Sequence, residues 1–479
     1  MENFTALNRH DHWIGGRAVA PSRGTHLPTI DPRTRAAGPS VAAGGPDDVD
    51  AAVAVAQAAQ QAWAARSAAE RSAVLHAVAN AMATARDELI AIERAGTGKT
   101  DAQLALEVDM SINYVRYYAG IIRTLHGRTI DQGSGNHTYT RLEPYGVVAI
   151  ITPWNLPLNQ ACRAVAPALA AGNAVVAKPS EFTSLSTLRM AQLATAAGLP
   201  DGLFNVVMGT GPDVGSPLAT HPVVRRVAFT GSVATGRLLG RLVADRLVPL
   251  GLELGGKSPL VVFADADLDA AAAAAANVVA FNSGQVCSAT TRLLAEESVH
   301  DELVARVVER VARMQPGRDY GPMITEAQYG KVIEYFGIAR DEGAVPAIGG
   351  AAVTAGDAAD GLYVQPTVYP RVRADMRITR EEIFGPVLVT MAFADEAEAL
   401  ALANDTEYGL VASVWSGDVA RGLRLAEHID AGQVAVNGGA LTIETPFGGY
   451  KASGHGREKG VEALHDYTQV KTVSLSIKG

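Results

Sequence analysis

Between about Tyr145 and Leu254 short apolar runs alternate with helical stretches, and this restricts the fold more than any other feature. Gly146-Val147-Val148-Ala149-Ile150-Ile151, Asn173-Ala174-Val175-Val176-Ala177, Phe204-Asn205-Val206-Val207 and Arg226-Val227-Ala228-Phe229-Thr230 read as strands. Pro157 to Ala171 and Ser184 to Ala197 read as helices between them. Strands apolar on both faces and joined through helices form a parallel sheet covered on both sides. Such sheets take ligands at the carboxyl ends of their strands. The alternation resumes from Leu260 to about Val436, so a second α/β domain is expected, and 479 residues exceed what one core supports.

The flanks follow other rules. Pro46-Asp47-Asp48-Val49 opens a helix with acidic residues at its positive end. Ser67-Ala68-Ala69-Glu70 fits a capping box, predicting a second helix that runs toward Arg94. Gly98-Lys99-Thr100 imitates the end of a phosphate loop, but the required earlier glycine is Glu93, so a glycine-capped helix end is expected. Alternation around His137 to Leu142 predicts a hairpin away from the core, and Tyr467 to Leu475 repeats it near the C-terminus. These two segments could pair with each other or with another subunit. Gly209 to Gly215 misses the dinucleotide fingerprint by one residue, whereas Phe229-Thr230-Gly231-Ser232 follows a strand and opens a helix whose N–H groups suit a pyrophosphate.

A net charge of -9 argues against nucleic acid as a partner. Two cysteines cannot staple such a chain, which points to a reducing compartment. Met1 to Thr5 shows no signal peptide, and the Leu268–Phe281 run carries Asp269 and falls short of a membrane span. A soluble, cytoplasmic protein without a metal site is expected.

Seven motifs then occur in order: Thr152-Pro153-Trp154-Asn155, Lys178-Pro179-Ser180-Glu181, Phe229-Thr230-Gly231-Ser232, Glu253-Leu254-Gly255-Gly256-Lys257, Gly284-Gln285-Val286-Cys287, Glu382-Ile383-Phe384-Gly385-Pro386 and Pro446-Phe447-Gly448-Gly449-Tyr450-Lys451. Through them the chain resembles the NAD(P)-dependent aldehyde dehydrogenase superfamily over essentially its whole length. The resemblance implies an α/β fold with a Rossmann-type NAD-binding domain (1–121 and 145–255) and a second α/β catalytic domain (256–452). A small β-strand oligomerisation arm (122–144 and 453–479) completes it, with a homodimer or homotetramer as the assembly.

The roles it implies are chemically coherent. Cys287 is the nucleophile that makes the aldehyde carbon tetrahedral, a task suited to a thiolate. Asn155 and the Cys287 N–H hold the oxyanion. Glu253 is the base that activates water against the resulting thioester, with Glu458 helping to relay the proton. Its presence favours a free acid over a coenzyme A thioester as product. Trp154, Lys178, Glu181, Ser232, Glu382 and Phe384 are the expected cofactor residues. The Glu181 carboxylate favours NAD over NADP, though NADP use stays open. Cys162 keeps a structural role.

Departures from the family pattern bear on the substrate. Arg163, eight residues after Asn155, occupies a tunnel position often held by tryptophan, and a guanidinium suits an oxygen-rich group. Semialdehyde oxidisers add a second arginine where this chain has Phe281. An aromatic or polar aldehyde is therefore expected ahead of a dicarboxylic semialdehyde, with Leu441, Ile443 and Phe447 lining the tunnel. A structural ion pair is the alternative fate of Arg163. A coenzyme A-acylating enzyme and a non-catalytic NAD-binding protein are the remaining alternatives.

Overall fold

The computed structural model describes residue 4 and residues 7–477. Apart from Phe4, the Met1–Thr5 stretch read for a signal peptide lies outside them, as does the end of the 453–479 segment. Five parallel strands form the centre of an eight-stranded sheet, ordered Leu250–Glu253, Val224–Thr230, Val147–Ile151, Ala174–Lys178, Phe204–Val206. Every residue of Val147–Ile151 and Ala174–Lys178 is buried, as their apolar sequence, broken only by the terminal Lys178, requires. The chain steps outward from Val147–Ile151 first one way and then the other. The crevice this leaves, between the carboxyl ends of Val147–Ile151 and Val224–Thr230, is where such sheets bind ligands.

Six further strands make a second, wholly parallel sheet: Thr367–Tyr369, Val387–Phe393, Arg292–Glu296, Pro259–Val262, Val411–Trp415 and Gln433–Val436. Its apolar cores lie within 260–431, while the first sheet's core draws on residues up to Leu254 and on Ala463, Leu464 and Tyr467. Gly454–His455 joins the first sheet antiparallel to Leu250–Glu253. The two flank segments pair with each other: Thr468–Ser476 runs antiparallel to Asn136–Pro144, with Thr129–Ile130 on the far side.

The capping box at Ser67 is present, with the Glu70 N–H donating to Ser67 Oγ and the Ser67 N–H to the Glu70 carboxylate. The helix it starts is shorter than expected. Ala68–Thr84 and Arg86–Thr97 are separate helices meeting at Ala85. Met82 and Leu89 are fully buried on either side of the break, so apolar periodicity runs through it and conceals it. Gly98 ends the second helix at φ +66°, and Lys99 is buried against Glu107, far from a phosphate-loop arrangement. Among the described residues no helix is long and apolar enough to cross a membrane, and no cluster of His, Cys, Asp or Glu could hold a metal ion.

Candidate active site

The cysteine loop follows the helix Leu268–Ala280. Asn282, Ser283 and Gly284 have φ of 47°, 52° and 70°, a left-handed run that costs free energy at the two non-glycine positions. Side chains hold it in place. Asn282 Nδ2 donates to the carbonyls of Asn155 and Gln285, both at 3.0 Å, and Ser283 Oγ donates to the Gly321 carbonyl at 2.6 Å. Gln285 Nε2 donates to the Asn282 and Pro322 carbonyls, and its Oε1 accepts from the Ile324 N–H at 2.9 Å. Gly284 passes so close to Gly385 that a Cβ would lie 2.0 Å from that carbonyl oxygen.

Asn155 follows the strand Val147–Ile151. Its Nδ2 donates to the Gln285 carbonyl at 2.9 Å, tying it to the cysteine loop, and a second N–H of the amide remains. It does not cap the helix Pro157–Ala170, whose N-cap is Leu156. That helix start is held by Glu93, whose Oε1 accepts from the Leu158 N–H at 3.0 Å.

Glu253 ends the strand Leu250–Glu253 and is buried, with neither carboxylate oxygen hydrogen-bonded. Burial, and then the Glu458 charge, hold its carboxyl well above the usual range against the pull of Arg163. Burial likewise pushes the Cys287 thiol up to about 11, opposed by Arg163.

Cys287, Glu253, Asn155, Trp154, Ser232, Glu382 and Phe384 all line one cleft of about 180 Å³, at the crevice between the two halves of the first sheet. The Trp154 and Phe384 rings meet edge to face, 5.5 Å between centroids. Phe384 sits at φ +59°, fixed by Gln328, whose Nε2 donates to the Ile383 and Phe384 carbonyls. Glu382 accepts from the Gly256 N–H at 3.0 Å. Ser232 is the N-cap of Val233–Ala244, accepting from the Thr235 N–H. An open helix start, an aromatic pair and a carboxylate around one cleft suit a dinucleotide with its ring end toward Cys287.

Lys178 and Glu181 lie outside that lining, at the end of the next strand, paired at 3.1 Å. Arg163, expected to face a substrate group, is closed on Glu458 as a buried ion pair, and its guanidinium lies 4.7 Å from the Phe447 ring centre. A buried guanidinium requires a counter-charge, and position 458 is too remote in sequence for the pairing to be visible there. Phe447 is buried and packs with Leu410 and Val411 against Cys287. Ile443 packs on the first core instead. Leu441 is exposed and Phe281 half-buried at a helix end, and neither lines the cleft.

Sequence reasoning missed Gln160, Gln328, Lys331 and Lys459. Gln160 lies one turn before Arg163 on the same helix face, a signal that was available. The other three carry no motif. A second cavity of about 220 Å³, bounded by Gly38, Glu93 and Phe182, contains none of Cys287, Glu253 and Asn155.

The profile of the aldehyde dehydrogenase family matches residues 19–473. An NAD-dependent aldehyde dehydrogenase from Sinorhizobium meliloti is 41% identical, covering 99% of this chain and 96% of its own, with a TM-score of 0.96. Betaine aldehyde dehydrogenase from Staphylococcus aureus in complex with NAD+ is 35% identical, covering 99% and 96%, also with a TM-score of 0.96. The chain belongs to the aldehyde dehydrogenase family, and it is an oxidoreductase that acts on aldehydes.

Proposed function

We propose that the protein oxidises an aromatic or polar aldehyde to the carboxylic acid, with NAD as hydride acceptor and water as acyl acceptor. One observation carries this reading: Cys287 and an unpartnered, buried Glu253 line the same cleft.

The steps balance on this chain's own residues. The Cys287 thiol, half-exposed in the cleft, gives its proton to solvent, so Glu253 stays ionised for the later step. The thiolate adds to the carbonyl carbon, and the oxyanion is received by the remaining Asn155 N–H and the Cys287 N–H. NAD held by Trp154, Phe384 and Glu382 would supply the acceptor for the hydride on that tetrahedral carbon. Glu253 then removes a proton from water attacking the Cys287 thioester, the acid departs and the thiolate is restored. To Glu458, beside Arg163, we assign the passing of that proton outward.

For the cofactor, we assign Trp154, Phe384 and Glu382 to the nicotinamide end, Ser232 to the pyrophosphate, and Lys178 with Glu181 to the adenosine ribose. The Glu181 carboxylate would repel a 2′-phosphate, which favours NAD over NADP. The domain at 1–121 and 145–255 binds the cofactor and the one at 256–452 carries Cys287. The strand pair of 122–144 and 453–479 offers Val470, Leu475 and Ile477 to a second copy. Both cysteines are thiols, in keeping with the cytoplasm.

The test is NADH formation at 340 nm from benzaldehyde and NAD without coenzyme A. Steady turnover in the parent, and its loss in Cys287→Ala, is expected. Turnover that required coenzyme A, or survived Cys287→Ala, would overturn the reading.

A further inference from the structure

Lys459 lies outside the seven motifs given above, and no step above uses it. The residue is only 8% exposed, and among the described residues its ammonium, which keeps some accessible surface, has no hydrogen bond and no carboxylate within salt-bridge distance. A largely buried cation without a counter-charge is costly to hold. Its backbone is also special, at φ +57°, a conformation that side-chain-bearing residues rarely adopt. Neighbouring strands impose it: Glu458 and Phe447 exchange both backbone hydrogen bonds at 2.7 Å, and the Gly460 N–H donates to the Ile443 carbonyl at 2.9 Å. The chain is thereby forced to turn Lys459 inward at the segment that also carries Phe447.

The ammonium faces the Phe447 ring, 5.0 Å from its centre, and that ring packs against Cys287. Arg163 approaches the same ring. Arg163, Cys287, Glu458 and Glu253 are the charged or titratable groups whose fields reach Lys459. Of the two carboxylates, Glu458 is already taken by Arg163, and Glu253 is buried without a partner. The ion pair is closed on itself, and the Lys459 ammonium, its pKa lowered by burial to about 8, is left without a carboxylate in contact. Phe447, Arg163 and Lys459 lie outside the Trp154–Phe384 cleft lining, beside the apolar cluster against which Cys287 packs.

We propose that Lys459 is a specificity residue that holds an anionic oxygen, carboxylate or phenolate, carried by the aldehyde, while Arg163 stays closed on Glu458. The inference rests on the proposed aldehyde oxidation and narrows its substrate class. It exchanges the roles expected from sequence: the arginine is structural and the lysine meets the substrate. A long side chain over an aromatic floor can reach a group at the far end of a flat substrate, which an arginine held by Glu458 cannot.

The experiment compares 4-formylbenzoate with benzaldehyde in the parent, Lys459→Met and Lys459→Arg. The expected result is a fall in the 4-formylbenzoate/benzaldehyde ratio of kcat/KM by roughly tenfold or more in Lys459→Met, as for loss of a charged hydrogen bond. The change should fall mainly in KM, with the ratio largely restored in Lys459→Arg. An unchanged ratio would overturn the inference, including the case in which Lys459→Met slows both aldehydes equally by weakening the Cys287 thiolate. Calorimetric titration of terephthalate into parent and Lys459→Met reads the same contact without turnover, and equal affinities would overturn it too. Failure of the parent to oxidise any aldehyde would instead strike the proposed function, leaving terephthalate binding to decide on Lys459.

Discussion

Arg163 and Glu458 form an ion pair inside the protein, with side chains only 5% and 12% exposed. Removing one partner of such a pair strands the other charge out of water. Arg163→Ala should therefore cost about 3–5 kcal/mol of stability, read from the shift in guanidinium midpoint. The double variant Arg163→Met with Glu458→Leu should recover most of that loss. A single variant as stable as the parent would mean that water reaches the pair.

Gly256 passes the cysteine loop so closely that a Cβ would stand 2.7 Å from the Cys287 carbonyl oxygen. One group lies in the loop after Glu253 and the other three residues beyond the left-handed run Asn282 to Gly284. Gly256→Ala should push Cys287 out of line and lower kcat by about 10²-fold, with a melting temperature near that of the parent. Unimpaired turnover would show that the loop yields.

Glu253 works as a base only when ionised, and burial raises its pKa. The ascending limb of kcat against pH should therefore lie above the ordinary carboxylate range of about 4.3, with activity rising as pH rises through it. Glu253→Gln should abolish that limb and slow the steady state by roughly 10²–10⁴-fold. Rapid mixing should still show NADH from the first turnover, because the thioester forms before water is needed. Loss of that first burst would place Glu253 earlier in the reaction.

Trp63 is buried and its Nε1 donates to the Leu169 carbonyl at 2.8 Å, joining the helix Pro46–Ala64 to the helix that follows Asn155. Trp63→Phe removes this tie and leaves the Leu169 carbonyl with the Gly172 N–H at 3.0 Å, and should cost about 0.5–1.5 kcal/mol, measured by urea unfolding. A change below about 0.5 kcal/mol, typical of surface sites, would mean that the Gly172 N–H alone satisfies the carbonyl.

Truncation after Tyr467 removes the strand Thr468–Ser476 and leaves Asn136–Pro144 without its main partner. Static light scattering should report a monomer for the truncated chain and a dimer or tetramer for the parent. An unaltered mass would place the subunit contact elsewhere.

The unbroken apolar runs at 147–151 and 174–177 could only be strands buried on both faces, and the positions of Asn155, Glu253 and Cys287 were legible in their motifs. What lay beyond reach was pairing across long sequence distances. The seam at Ala85 was masked because both helices bury the same apolar stripe. The fates of Arg163 and Lys459 depended on residues from a helix in the first half of the chain meeting a loop near its end.

Local sequence thus determined which segments are strands and helices, since periodicity and capping act over a few residues, and it supplied the reactive groups. Only the tertiary structure decided their electrical environment. Burial sets the Glu253 and Cys287 pKa values, and closure of Glu458 on Arg163 leaves Lys459 without a carboxylate partner among the described residues. Charges interact through the space around them, whatever their separation along the chain.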